Sequence, residues 1–267
     1  MSKSIVKLLS QNKLNKNTPI NLKTCNIIKY NETKKNIINY NKTYSTNIPK
    51  IIHLCYKNKN IPDYIISNWK NLNPDYEVIL YDDNDCVTFL MENYGQLYVD
   101  IFNFIKDGPI KADFFRICVL YKLGGVYCDI DIQPLISFND FVEPDISFLT
   151  CLSASQRQLN PHIIMCDKDH NLLKLCINIY IDYFQNKTEY SYWGWSIVHI
   201  MKRCMKTIFP NIFINDCIVT DNNKNRYQFL KEFGDWNNLK SFYCKYKGKH
   251  VLNNRYQNYD PNLHHFQ

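Results

Sequence analysis

The segment from Ile110 to Leu135 constrains the fold of this chain most, because a helix pattern, a break and a strand pattern follow one another in it. It reads IKADFFRICVLYKLGGVYCDIDIQPL, in which Gly-Gly separates the helix from an apolar strand that ends in Asp129 and Asp131. Alternation along a strand predicts that aspartates two positions apart share one face at its carboxyl end. Two such carboxylates can bind a hard cation together with a phosphate group. The segment therefore predicts a binding site.

Length, charge and apolar content set the broad class of the chain. With 267 residues, 45% of them hydrophobic, it is long enough for one α/β domain with a buried core. The net charge is +7, but the lysines are spread among asparagines without an arginine stripe, so we expect no nucleic-acid partner. No run reaches the roughly 20 apolar residues of a transmembrane helix. We expect a soluble protein, with at most weak peripheral contact with acidic membranes.

Eleven cysteines are scattered singly, without a CxxC pair or a cysteine-histidine spacing typical of metal sites. This pattern predicts thiols in a reducing compartment, either the cytoplasm or, for a viral chain, the host cytoplasm. Most of the cysteines lie inside apolar runs such as RICVLY and GVYCDI. We therefore expect them to pack as small hydrophobic side chains.

Regular patterns of strands and helices begin after residue 47. Residues 1–47 are polar and rich in Asn and Lys, which predicts an N-terminal extension, and residues 48–267 are predicted to form one domain. Strand and helix patterns alternate at spacings that suit crossover connections. This predicts an α/β fold with a mostly parallel sheet flanked by helices, in which ligands bind at the carboxyl ends of strands. The predicted strands are 48–56, 76–83, 211–220 and 242–252, with further apolar runs at 146–154 and 161–167. The predicted helices include 62–72, 84–94, 172–184 and 196–209.

Asp113 and Arg116 lie one helix upstream of the aspartates, at positions i and i+3 on one helix face. They can form an ordinary helix ion pair. They can also point at the same pocket as the aspartates, where a carboxylate accepts from sugar hydroxyls and a guanidinium donates to a diphosphate. A lone D-x-D most often caps a turn. The additional pair of Asp113 and Arg116 is therefore what indicates a site for a donor that carries a sugar and a diphosphate.

The string ADFFRICVLYKLGGVYCDID resembles the signature of the DXD sugar transferases of glycosyltransferase family 32, the initiating α-1,6-mannosyltransferases and capsular-polysaccharide enzymes. It is also similar to the clostridial glucosylating toxins. These families have an acidic residue, two residues, arginine, a short helix, Gly-Gly and aromatic-x-Asp-x-Asp. IPKIIHLCY and NPDYEVILYDD resemble their first two strands, so the resemblance covers about residues 48–135. It implies a GT-A type fold, which is Rossmann-like.

The resemblance implies a metal-dependent glycosyltransferase that moves a sugar from a UDP- or GDP-sugar to a glycan, lipid or protein acceptor with retention of configuration. Mn²⁺ or Mg²⁺ would be the cofactor and the nucleotide sugar the co-substrate. Asp131 would bind the metal directly, while Asp129 would contact the ribose or donor sugar and reach the metal through water. Asp113 and Arg116 would hold the donor sugar and the diphosphate.

Further site residues are implied at both ends of the chain. Tyr56 takes the place of the base-stacking tryptophan of these enzymes, since a phenol also stacks on a base. Tyr127 would pack against the nucleotide or serve as an ordinary sheet aromatic. NLHHF resembles a late segment in which His264 or His265 completes the metal coordination. The positions implied in nucleotide binding are Leu54, Cys55, Tyr56, Tyr127 and Asp129.

Two other functions stay open. Phosphatases of the haloacid-dehalogenase type also place D-x-D after an apolar strand, with one aspartate as nucleophile, but a Gly-Thr turn normally follows, where this chain has Gln133-Pro134. A catalytically degenerate sugar-nucleotide-binding protein is the second alternative. Trp193 and Trp195 are candidates for an acceptor platform or for core packing, and His53 is expected to be a core histidine.

Overall fold

The computed structural model describes residues 47–154, 158–189, 191–209, 217–235 and 237–256. Its helices are α1 (Asp63–Leu72), α2 (Asp83–Tyr94), α3 (Gln96–Phe104), α4 (Gly108–Leu123), α5 (Asn171–Asn186), the single turn α6 (Tyr192–Trp195) and α7 (Ile197–Ile208). Its strands are β1 (Ile51–Cys55), β2 (Glu77–Tyr81), β3 (Gly125–Cys128), β4 (Gln133–Pro134), β5 (Phe148–Leu152), β6 (Leu159–Cys166), β7 (Cys217–Thr220), β8 (Arg226–Asp235), β9 (Asn238–Tyr246) and β10 (Lys249–Asn253).

All of these strands join one sheet in the order β2-β1-β3-β6-β5-β8-β9-β10-β4, with β7 paired to β8. Strand β1 pairs in parallel with β2 and β3, and β5 with β8, whereas β6 is antiparallel to both of its neighbours. The first six strands of the sheet order run from β2 to β8, and all of them except β6 therefore point in one direction. This confirms the predicted α/β class with a mostly parallel sheet, to which β9, β10 and β4 add antiparallel pairs.

Two glycines make the tight connection between α4 and β3. Gly124 has φ of 67° and Gly125 has φ of 98°, both in the left-handed region that favours glycine. A Cβ on Gly125 would lie 2.6 Å from the carbonyl oxygen of Ile51 on β1, closer than real Cβ atoms approach. The Gly-Gly break thus lets β3 run directly beside β1, and the end of β3 becomes a central position in the sheet.

The sheet separates two apolar cores. One core packs against α2, α3, α4, α5 and α7, and the other against α1 and the turn at Phe138–Asp140. On this second side Trp69 of α1 stacks on Phe138, with ring centroids 5.6 Å apart. Because both faces of β3 are covered, all four of its residues are buried, as the continuous apolar run GVYC predicts.

Strand β8 was missed by the sequence prediction because buried polar residues interrupt its apolar pattern. Gln228 is 0% exposed and Glu232 is 3% exposed. The Gln228 side chain donates to the Phe141 carbonyl at 2.7 Å and accepts the Glu143 N–H at 2.8 Å. Since its amide is satisfied from outside the strand, Gln228 is tolerated in the middle of the sheet.

Several smaller predictions can be compared with the described residues. None of the ten described cysteines forms a disulfide, and nine of them are buried. No helix in the described part of the chain is long and apolar enough to cross a membrane. The division into residues 1–47 and 48–267 stays a prediction.

Candidate functional site

The aspartate turn, residues 129–132, follows directly on β3. The Asp129 N–H donates to the His162 carbonyl on β6 at 2.8 Å, and the Ile132 N–H donates to the Asp129 carbonyl at 3.1 Å. Ile130 and Ile132 are buried, whereas Asp129 and Asp131 are partly exposed. The prediction that strand alternation places the two carboxylates is wrong, because β3 ends at Cys128. A turn anchored by its two isoleucines presents them instead.

Arg116 on α4 connects this turn to the helix. One terminal nitrogen, Nη2, lies 3.0 Å from Asp129 Oδ1 and 2.8 Å from Asp113 Oδ1, and Nη1 donates to the Pro161 carbonyl at 2.6 Å. The side chain is 6% exposed. Burial alone would lower its pKa, but Asp129 and Asp113 outweigh burial and raise the pKa further above its ordinary value. Arg116 therefore stays charged and holds Asp129 in place.

Asp113 uses its two oxygens for two different partners. While Oδ1 binds Arg116, Oδ2 accepts the Ile197 N–H at 3.0 Å, at the first residue of α7. The positive end of the helix dipole favours a carboxylate there. Burial raises the pKa of Asp113 to about 6, against the effects of Arg116 and the Ile197 N–H. In this arrangement Asp113 joins α4 to α7, and its predicted contact with a donor sugar stays a prediction.

A bulge in β6 provides the carbonyl oxygens that accept hydrogen bonds from the Arg116 side chain and from the Asp129 N–H. Thr150 of β5 is opposite Ile164, but the next residue, Cys151, is opposite Asn160, so residues 161–163 are extra residues of β6 in its ladder with β5. On the other side of β6, Ile163 still pairs with Cys128 of β3. The bulge contains Pro161, which lacks an N–H and is confined to such positions in central strands. The Pro161 and His162 carbonyls accept from Arg116 and Asp129. The bulge thus fixes both the aspartate turn and the Arg116 side chain of α4.

The two carboxylates of the aspartate turn have different surroundings. Asp129 is paired with Arg116, whereas Asp131 forms no ion pair within the described part of the chain. Burial and the charge of Asp129 raise the pKa of Asp131 to about 7, although Arg255 and His162 act in the opposite direction. The two carboxylates carry more negative charge than Arg116 neutralises, and they lie on a partly exposed turn. Such oxygen groups are suited to bind a hard divalent cation.

Four of the five side chains predicted to bind the nucleotide lie in the core, and only Asp129 is partly exposed. The exposed fractions are 0% for Leu54, 7% for Cys55, 4% for Tyr56 and 1% for Tyr127. The Tyr127 ring lies under the guanidinium of Arg116, with Cζ 4.7 Å from the ring centroid. These side chains are too buried to form a stacking surface for a base. Tyr127 supports Arg116 instead.

The two candidate tryptophans have different environments. Trp195 is 7% exposed and its indole donates to the Glu189 carbonyl at 3.0 Å, so it packs in the core. Trp193 is 60% exposed and stacks on His199 with ring centroids 5.8 Å apart. It lies on α6, the turn that precedes α7. The first residue of α7 is Ile197, whose N–H donates to Asp113. Of the two, Trp193 is the one whose ring is exposed for contact with a ligand.

A group of three side chains with metal-binding chemistry was missed by the sequence prediction. The thiol cluster consists of Cys151 on β5, His162 on β6 and Cys244 on β9, whose ligand atoms lie within 4.8 Å of one another. They come from distant parts of the chain, so no spacing in the sequence reveals them. The general expectation that the cysteines are only packing residues is therefore incomplete at these positions. His264 and His265, the predicted additional metal ligands, lie outside the described residues.

The chain matches a known protein family over the part that contains this site. Residues 62–147 match the family described as "Glycosyltransferase sugar-binding region containing DXD motif". The matched region includes Asp113, Arg116, Asp129 and Asp131. A glycosyltransferase family region is therefore present, and the predicted resemblance to DXD sugar transferases is confirmed.

Curated relatives of this region are named mannosyltransferases or mannosyl-transferring synthases. A mannosyl phosphorylinositol ceramide synthase of Saccharomyces cerevisiae is 36% identical over 108 residues, which cover 36% of this chain and 27% of that protein. Inositol phosphoceramide mannosyltransferase 1 of Schizosaccharomyces pombe is 32% identical over 109 residues, 36% of this chain and 34% of that protein. The matches thus cover about a third or less of these relatives' length.

Two further similarities are more distant. The initiation-specific alpha-1,6-mannosyltransferase of Candida albicans is 32% identical over 76 residues, 28% of this chain and 20% of that protein. Among solved structures, the PaToxG glycosyltransferase has a TM-score of 0.47 and 15% sequence identity, over 61% of this chain and 70% of that chain.

Proposed function

We propose that this chain is a metal-dependent glycosyltransferase that moves a hexose from a nucleoside-diphosphate sugar to an acceptor, with retention of configuration. The observation that carries the proposal is the placement of Arg116, which binds both Asp113 and Asp129 inside the matched region. These contacts join the acidic-x-x-Arg element to the D-x-D element. The two parts of the motif therefore act as one site, as a donor-binding function requires.

In this proposal the charged residues of the aspartate turn and of α4 have different roles. Asp131 and Asp129 would hold Mn²⁺ or Mg²⁺, which as a Lewis acid neutralises the charge that develops on the departing diphosphate. Arg116 orients Asp129 and fixes one of its oxygens by a charged contact, which leaves the other oxygen for the ligand. Asp113 in turn orients Arg116 and anchors α7 beside the site. His264 or His265 would complete the ligand set.

The transferred sugar and the acceptor are proposed from the relatives and from one exposed side chain. The relatives described above are named for mannosyl transfer, so we propose mannose as the sugar. A glycan, lipid or protein acceptor would approach over Trp193, since the face of an exposed indole binds sugar rings and apolar groups. The scattered cysteines favour a reducing compartment, which we keep as part of the proposal.

A donor screen on the full chain tests the proposal. The protein is incubated with UDP- and GDP-sugars, with and without Mn²⁺, and released nucleotide and free sugar are measured by mass spectrometry. We expect Mn²⁺-dependent turnover of a mannosyl donor, lost in Asp131→Asn and Asp129→Asn. Asp140→Asn, which changes an exposed carboxylate after β4, is the matched control and should keep full turnover.

The same screen separates the alternatives. Binding of a nucleotide with Mn²⁺ but no turnover of any donor would identify a degenerate sugar-nucleotide-binding protein. Hydrolysis of a phosphomonoester that depends on Asp129 would identify a phosphatase. Full activity of Asp131→Asn toward a sugar donor would show that the aspartate turn is not the metal site.

A further inference from the structure

The thiol cluster has the geometry of a metal site. Cys244 Sγ lies 3.4 Å from Cys151 Sγ and 3.4 Å from His162 Nε2. In a tetrahedral site with zinc–sulfur bonds of about 2.3 Å, neighbouring ligand atoms are roughly 3.5 to 3.8 Å apart. Both distances from Cys244 are therefore close to the spacing that one small ion imposes on its ligands, and the third pair, Cys151 and His162, lies within 4.8 Å. All three side chains are buried, with exposed fractions of 0%, 5% and 0% for Cys151, His162 and Cys244.

The imidazole of His162 has no oxygen or nitrogen partner among the described residues. Its Nδ1 forms no hydrogen bond there, and its Nε2 faces only the sulfur of Cys244. Buried polar groups in folded proteins almost always have a hydrogen-bond partner or a ligand. A nearly fully buried imidazole in contact with one thiol, with a second thiol within 4.8 Å, therefore points to a ligand that binds nitrogen and sulfur together.

We propose that Cys151, His162 and Cys244 bind one zinc ion in a structural site that is separate from the aspartate turn. Thiolate and imidazole ligands prefer zinc to magnesium or manganese, which prefer oxygen. Two thiolates, a neutral imidazole and a divalent ion have a net charge of zero, which suits a buried site. Binding needs two thiolates and a neutral imidazole, so the protons that Cys151, Cys244 and His162 carry in the metal-free protein are released to solvent, and no electron is transferred.

The electrostatics around Cys244 agree with this assignment. Burial would raise the pKa of Cys244, but its contacts with Cys151 and His162 lower it to about 7. A thiol with a lowered pKa is available as a thiolate ligand near neutral pH. Cys151 differs, because burial and the neighbouring sulfur raise its pKa, so its proton leaves only when an ion takes its place.

Polar residues next to the cluster provide a second layer of contacts. The Asn254 side-chain oxygen lies 3.4 Å from Cys244 Sγ and is placed to fill or orient a fourth position. The Asn254 amide donates to Glu232, which also accepts the Asn160 amide at 2.7 Å. Such groups around the ligands fix ligand orientation in metal sites.

A zinc ion here would stabilise the site of the proposed function. His162 lies in the β6 bulge, and its own carbonyl accepts the N–H of Asp129. An ion on its ring would hold the bulge that receives Arg116 and Asp129. Zinc would thereby act as a support for the aspartate turn and would not take part in the reaction.

The first test is the metal content of the purified full chain, measured by inductively coupled plasma mass spectrometry. We expect about one zinc per chain in the wild type and at least a tenfold lower content in Cys244→Ser and His162→Gln. Cys86→Ser is the matched control, because its sulfur lies 3.7 Å from Cys55 Sγ in an equally buried pair that has no imidazole contact of this kind. The control should keep its zinc.

A second measurement uses the wild-type chain and does not depend on the folding of variants. The metal-free protein is titrated with Co²⁺ and then with Zn²⁺, and the absorption of a thiolate–cobalt bond is recorded. We expect a saturating signal at one equivalent, displaced by Zn²⁺ and unchanged in Asp131→Asn. Absence of both zinc and thiolate–cobalt absorption, or a Cys151–Cys244 disulfide in the purified protein, would overturn the proposal. Neither measurement uses a nucleotide sugar, so their failure is distinct from failure of the donor screen.

Discussion

The aspartate turn and the thiol cluster meet at the same bulge of β6 but differ in ligand chemistry and exposure. Asp129 and Asp131 are partly exposed oxygen ligands, and the backbone of the bulge positions the first of them. Cys151, His162 and Cys244 are buried sulfur and nitrogen ligands, and a side chain of the bulge belongs to them. One irregular piece of strand therefore supports two sites, one suited to an exchangeable hard ion and one suited to a permanent soft ion.

Two buried histidines, His53 and His162, also differ in their neighbours. His53 on β1 has two oxygen neighbours, the Tyr81 hydroxyl at 3.2 Å from Nδ1 and the Gly124 carbonyl at 3.0 Å from Nε2. Burial lowers the pKa of His53 to about 4, so it is a neutral core histidine, as predicted from its apolar strand. Burial also acts to lower the pKa of His162, but Cys244 and nearby carboxylates raise it to about 9. Neighbouring groups, and not burial alone, decide what a buried histidine does.

The largest effect is expected when Arg116 is replaced, because it joins the aspartate turn to α4. Arg116→Met leaves Asp113 buried without its partner, and breaking a buried ion pair in this way costs about 3–5 kcal/mol of unfolding free energy. Urea denaturation measures the loss. Arg226→Met is the control, since its ion pair with Asp145 is longer, 3.9 Å, and its side chain is 33% exposed. Arg226 also donates to the Pro144 carbonyl, so we expect a loss of about 1–2 kcal/mol. Equal losses in both variants would contradict the assigned role of Arg116.

The second prediction separates the two sites by their metals. Asp131→Asn should lower Mn²⁺-dependent donor turnover by about 100-fold or more, because a metal ligand is lost. Its zinc content should not change. The raised pKa of Asp131 means that its ionised form is unfavourable in the folded state, so the variant should also melt at a higher temperature at pH 8. Loss of zinc from Asp131→Asn would show that the two sites are one.

The third prediction uses the pH dependence of stability at His53. Its pKa is about 6.5 in the unfolded chain and about 4 when folded. Its contribution is fully present above pH 6.5 and is lost as the pH falls toward 4, a total of about 3 kcal/mol. His170, whose pKa burial also lowers to about 4, contributes in the same direction.

His53→Gln should therefore remove up to about 3 kcal/mol of the decrease in unfolding free energy between pH 7 and pH 4. His170→Asn, which keeps a side chain able to cap α5, is the matched comparison and should remove a similar share. The double variant should have the smallest decrease. If the pH profile of His53→Gln equals that of the wild type, protonation of His53 does not cause the decrease in unfolding free energy at low pH.

The site was predictable from sequence where its residues are close along the chain. Asp113, Arg116, Asp129 and Asp131 lie within one helix-Gly-Gly-strand unit, so local spacing brings them together. The thiol cluster needs the bulge at residues 161–163 and the long-range placement of β9, which no local pattern encodes. Pro161 inside an apolar run is the single local signal of that irregularity.

The fold was predictable to a similar extent and for the same reason. Strands with continuous apolar runs, such as β1 and β3, were found, because burial on both faces gives a clear pattern. Strand β8 was missed because Gln228 and Glu232 are buried with partners from other segments. The burial of Tyr56 was missed as well, since a motif position does not reveal which side chains cover it.

The smallest effect is expected at Trp193, which belongs to neither of the two proposed metal sites. Trp193→Ala should raise the KM for the acceptor a few-fold, because a stacking contact is worth about 0.5–1.5 kcal/mol. Donor hydrolysis without an acceptor should not change, since the aspartate turn is intact. Met91→Ala, which removes another exposed apolar side chain, should leave both values unchanged. An unchanged acceptor KM in Trp193→Ala would confine substrate binding to the donor side, whereas a loss of donor hydrolysis would place the indole in the donor pocket.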